Sequence, residues 1–69
     1  MLPTLYFLTI RNCGNGDWGI FETHCGQEKG CFETEEQLIG WGASEEEAVK
    51  IAENWKPIEG IVNSIGVEP

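Results

Sequence analysis

The first strong pattern along the chain is a period of two. In "LYFLTIRN", residues 5–12, Tyr6, Leu8 and Ile10 fall on one face and Leu5, Phe7 and Thr9 on the other. Aromatic and β-branched residues at this spacing predict a strand, and apolar character on both faces predicts a central or doubly covered one. The following "NCGNGD" is dense in residues that tolerate positive φ and predicts a hairpin turn. From Trp18 to His24 the alternation resumes, with Trp18, Ile20 and Glu22 opposite Gly19, Phe21 and Thr23. So short a connection predicts antiparallel pairing of the two strands.

"CGQEKG" then reads as a polar loop. A third strand is expected within 31–43, including Leu38 to Trp41, with "ETEEQ" as a bulge, a turn or an exposed stretch. The glycines on either side of Trp41 let the backbone bend there.

At residue 44 the period changes to that of a helix. Ser44 is placed as N-cap with Glu47 three residues later, the capping-box spacing, and Glu45, Glu46 and Glu47 fill the first turn, where the helix dipole favours negative charge. Ala48, Ile51, Ala52 and Trp55 form an apolar stripe with Val49 at its margin, and Pro57 ends the helix. The stripe is one-sided, so the helix is expected to lie on the sheet. After it, Ile61, Asn63, Ile65 and Val67 alternate in a fourth, edge strand. The expected fold class is α+β: an antiparallel three- to four-stranded sheet with one helix packed on it, order β-β-β-α-β, in a single domain over residues 1–69.

Charge narrows the function. The 69 residues carry a net charge of −8, and the four basic residues, Arg11, Lys29, Lys50 and Lys56, are scattered. Phosphate binding needs clustered Lys and Arg, so nucleic acid is not expected as a direct partner. An acidic surface suits a basic protein, or a site that normally holds nucleic acid. The apolar start "MLPTLYFLTI" lacks the basic residues and cleavage site of a signal peptide and is too short for a membrane span. No membrane association is expected. Without an export signal, Cys13, Cys25 and Cys31 are expected as reduced thiols in a cytoplasm.

Catalytic constellations are sparse. The single histidine, His24, precedes Cys25, and neighbours on a strand point to opposite faces, so a Cys–His pair is not expected. Cys13, His24, Cys25 and Cys31 are zinc-ligand types, but no C-x-x-C pair is present, and a regular hairpin would hold Cys13 far from His24. No phosphate loop or calcium loop is complete. An enzyme is not expected, nor a metal or cofactor.

Six of the twelve carboxylates fall between residues 33 and 47, and no Lys or Arg occurs from 30 to 49. Glu33, Glu35, Glu36, Glu45 and Glu46, with Trp41 among them, are the candidate partner-binding residues. Trp is enriched at interface hot spots, and an acidic border suits a basic partner. The other reading places Trp41 in the core and leaves the glutamates a solubilising role.

"GWGASEEEAVKIAENW", residues 40–55, resembles the segment of HicB-type antitoxins in which a strand turns through small residues into a helix opening Ser/Thr-x-x-Glu-Ala, here Ser44, Glu47 and Ala48. "YFLTIRN", the Gly-rich turn and "WGIFETH" are similar to the first hairpin of that β-β-β-α-β domain. The family's Pro-Gly-Cys signature is absent; members usually carry a DNA-binding segment after the domain, and none is expected here, which would remove autoregulation. The resemblance implies an acidic domain that masks a small basic toxin nuclease, often as an oligomer, with a homodimer among the options. The leading expectation is therefore an acidic, non-enzymatic interaction domain that binds and masks a basic partner. An alternative is a small acidic inhibitor or nucleic-acid mimic that blocks a larger nucleic-acid enzyme. A second alternative is a small metal- or thiol-binding protein using Cys13, Cys25 and Cys31.

Overall fold

The computed structural model describes residues 2–26 and 34–68. Four strands and one helix follow in the expected order: β1 (Leu5–Asn12), β2 (Trp18–Cys25), β3 (Gln37–Gly42), α1 (Glu45–Asn54) and β4 (Ile61–Glu68). They form one sheet of spatial order β3-β2-β1-β4.

The β1–β2 hairpin is antiparallel from Leu5↔Cys25 to Asn12↔Trp18. Its tip is closed by Cys13 N–H to the Asp17 carbonyl and Asp17 N–H to the Gly14 carbonyl, each 2.9 Å. Asn12 Oδ1 accepts a third bond from the Gly14 N–H, also at 2.9 Å. Gly14, Asn15 and Gly16 all have positive φ, as the composition of the turn requires. β3 adds antiparallel to β2, with a register shift between Ile20 and Phe21.

β4 corrects the expectation of an all-antiparallel sheet: it runs parallel to β1. β3 is antiparallel to β2 and so parallel to β1. A helical crossover returns the chain in the direction of the strand it left, so α1 delivers β4 parallel as well. A second correction concerns its faces. The register skips Asn63, pairing Tyr6 with Val62 and Phe7 with Ser64. This bulge breaks the alternation from Ile61 to Val67: Ile61 lies on the face of its partner Leu5, while Val62, Ile65 and Val67 lie on the face of Tyr6, Leu8 and Ile10.

α1 covers that second face. Ser44 has extended backbone (φ −152°, ψ 164°), and its Oγ accepts the Glu47 N–H at 3.1 Å, satisfying one of the free donors of the first turn. The helix buries Ala48 and Ala52 against Leu8, Ile10 and Ile20, with Trp18, Ile39, Val49, Trp55 and Val62 packed around them. Each of the three large buried side chains contributes about 1.5–3 kcal/mol. Ile51, expected within the stripe, is 37% exposed, and Val49 is instead packed on the core. Among the described residues no helix lies on the opposite face of the sheet. The radius of gyration, 12.4 Å, exceeds the roughly 11 Å usual for this length, as a slab one helix and one sheet thick requires.

Cys25 is disulfide-bonded, and Cys13 is a free, exposed thiol. This corrects the expectation of reduced thiols at Cys25. Among the described residues no helix is long and apolar enough to cross a membrane.

Candidate functional site

The alternation of β3 decides the placement of Trp41. Gly40 and Gly42 pair with Ile20 and Trp18 on the helix side, and Trp41, between them, points the other way. It is 50% exposed there, and Leu38 on the same strand is 46% exposed. Trp41 is thus a surface residue of the open face.

That face is crossed by a charged strap. The Arg11 guanidinium lies 4.8 Å above the centre of the Phe21 ring. It is held from both sides, by Glu68 (Nε to Oε2, 2.7 Å) and by Glu36 (Nη2 to Oε2, 3.0 Å). The hydrogen bond that Arg11 donates to Glu68, then that to Glu36, raises the Arg11 pKa above its ordinary value. In return the Arg11 hydrogen bond holds the Glu68 carboxyl below the usual carboxylate range. The strap pairs the Arg11 cation with two carboxylates.

The six residues expected to form one acidic border divide into groups. Glu36 and Trp41 belong to the open face, and Glu35 is exposed just before β3. Glu45 and Glu46 belong to the helix layer, where they border a shallow hollow with Val49, Lys50 and Glu53. Glu33 lies outside the described residues.

A further constellation escaped sequence reasoning. On the helix-covered face, Glu22 is 4% exposed. Its Oε2 accepts a 2.9 Å hydrogen bond from His24 Nδ1, so a neutral imidazole carries its proton on Nδ1 and a lone pair on Nε2. His24 is positioned by three further contacts. Its backbone N–H donates to Thr34 Oγ1 at 3.2 Å, its carbonyl accepts the Thr34 N–H at 3.0 Å, and its ring lies 4.9 Å from that of Tyr6. Tyr6 in turn meets Trp55 edge-on at 5.4 Å. These side chains, with Gln37 and Ile39, line a cleft of about 400 Å³ below the C-terminal end of α1; Lys56, Pro57 and Ile58 form its lip. The signal was present in the pattern: Glu22 and His24 stand at two successive helix-side positions of β2 after the apolar Trp18 and Ile20.

Among the described residues no three His, Cys, Asp or Glu side chains group as metal ligands. The Thr34 hydroxyl faces His24 Nδ1 (3.4 Å), the nitrogen already engaged by Glu22. No family model, no curated protein and no solved structure matches the chain.

Proposed function

We propose that the chain is a non-enzymatic interaction domain that binds and masks a basic protein through the open face of its sheet, as an antitoxin masks a toxin nuclease. The observation that carries this reading is the half-exposed Trp41 beside Leu38 on a sheet face that the helix leaves uncovered. A large aromatic with apolar neighbours is the usual anchor of an interface, and the charge around it selects the partner. The chain has a net charge of −8, and Arg11, the cation of this face among the described residues, is already paired with two carboxylates. A basic surface therefore meets little opposing positive charge. The absence of catalysis is supported by the Glu22–His24 pair, whose neighbouring hydroxyl faces the wrong ring nitrogen for activation. Blocking of a larger nucleic-acid enzyme would use the same face and differs only in target.

The test is a photo-crosslinking amino acid placed at residue 41 in source cells, followed by identification of the attached protein. The captured partner is then assayed as a nuclease with and without an equimolar amount of the chain. A small basic nuclease inhibited at equimolar ratio supports the antitoxin-like reading, and a large nucleic-acid enzyme supports channel blocking. Trp41→Ala should weaken the complex by tenfold or more. Replacing Glu35 and Glu36, the carboxylates on or beside that face, with Gln should flatten its salt dependence. Unchanged affinity in both variants would overturn the reading.

A further inference from the structure

A carboxylate on the inner face of a sheet is costly to bury unless something compensates its charge. Glu22 is 4% exposed, and among the described residues the hydrogen bond its side chain accepts is the one from His24 at Oε2. Glu22 itself lines the cleft, and of its two carboxylate oxygens Oε2 is the one that His24 engages. We propose that this cleft is a binding site for a primary alkylammonium group, with Glu22 Oε1 as its anionic acceptor and the rings of Tyr6 and Trp55 as its walls.

Three features select that chemistry. The acceptor is a single carboxylate oxygen, because its twin is held by His24; a guanidinium, which binds best to both oxygens at once, is disfavoured against a point-like ammonium. Tyr6 and Trp55 stand edge to face at 5.4 Å on the cleft wall, and aromatic surfaces attract a cation and its alkyl stem alike. Gln37, also lining the cleft, offers an amide oxygen as a second acceptor, while Ile39 supplies apolar wall for the stem. The amine is either a free small molecule or the lysine of a protein. Lys56 at the lip would meet a carboxylate if a free amino acid were the ligand.

The site is on the helix side of the sheet, away from Trp41, and is tested without any protein partner, so its failure leaves the masking reading untouched. The probes are n-butylammonium, Nα-acetyl-lysine methylamide, Nα-acetyl-arginine methylamide and neutral 1-pentanol, titrated into the whole chain and followed by NMR at the Trp55 indole N–H and the His24 ring. Saturable shifts with a Kd on the order of 1 mM are expected for an ammonium probe, at least tenfold weaker for arginine, and absent for pentanol. Tighter binding of acetyl-lysine than of butylammonium assigns the site to a protein lysine, and the reverse order to a free amine. Glu22→Gln should lower the ammonium affinity at least tenfold, and Gln37→Ala by less. Absence of saturation with either ammonium probe overturns the proposal, as does equal binding of pentanol. The probe comparison needs no variant, so it decides even if Glu22→Gln fails to fold.

Discussion

Gly42 and Ala48 meet where the last residue of β3 passes under the first turns of α1. A Cβ on Gly42 would stand 2.6 Å from the Ala48 nitrogen and 2.9 Å from its Cβ. The obstacle is largely helix backbone, which has no rotamer to change, so the helix itself would have to lift. Gly42→Ala should therefore destabilise the fold by about 1–3 kcal/mol, the usual cost of overpacking. Urea denaturation checks this, and a variant as stable as the parent would show that α1 is free to shift.

The N-cap can be probed alone. Ser44→Ala removes the acceptor of the Glu47 N–H and should cost about 1 kcal/mol. Ser44→Asp should retain the stability, because a carboxylate accepts the same bond and also faces the helix dipole favourably. The same denaturation midpoint reads both.

The strap across the open face predicts a pH dependence whose sign follows from Glu68. Its carboxyl is depressed from the ordinary 4.5 by the hydrogen bond from Arg11. The stabilisation it adds is complete above 4.5 and is lost as pH falls through the depressed folded value. Both groups are solvent-exposed, so the effect is small and screened by salt. In an NMR titration the Glu68 side chain should have its midpoint below 4.5, moving back to the ordinary range in Arg11→Gln. An unchanged midpoint in that variant would remove Arg11 as the cause.

Thiol chemistry separates the cysteines. Cys13 is a free thiol at the surface, and Cys25 is disulfide-bonded. Alkylation of the native protein without reductant should modify Cys13 and leave Cys25 untouched, with Cys25 becoming reactive only after reduction. Peptide mapping by mass spectrometry gives the answer directly, and Cys25 modified in the absence of reductant would contradict the bond.

Much of the architecture was legible because local rules suffice for it. Alternation and a Gly/Asn turn specify the β1–β2 hairpin, and Ser44 with Glu47 marks the helix start, since both depend on residues close in sequence. The direction of β4 depends on something periodicity does not encode, namely that the connection through α1 is a crossover carrying the chain back to the end of the sheet where β3 began. Asn63 was counted as an ordinary strand position because a bulge is a property of the pairing between β1 and β4, and neither strand reveals it alone. Trp41 could have been placed earlier. Two glycines at alternate positions, 40 and 42, mark the face that a helix approaches closely, which leaves Trp41 on the other. Glu22 was equally readable as a charge in an apolar register, but its pairing with His24 and the closing of the cleft by Trp55 need the folded chain.

The parallel neighbour of β1 has a consequence for how the molecule is made. β1 acquires β2 on one side almost as soon as it is synthesised, but its other side stays empty until residues 61–68 have been added. At roughly 5–20 residues per second, that interval lasts several seconds. Throughout it the hairpin shows one ready hydrogen-bonding edge, and the face of Leu8 and Ile10 is still without helix and last strand. The same vacancy would be permanent in any chain whose translation stopped before Ile61. Such products should be sticky in a way the folded chain is not, which places the quality of the fold in the hands of the eight residues of β4.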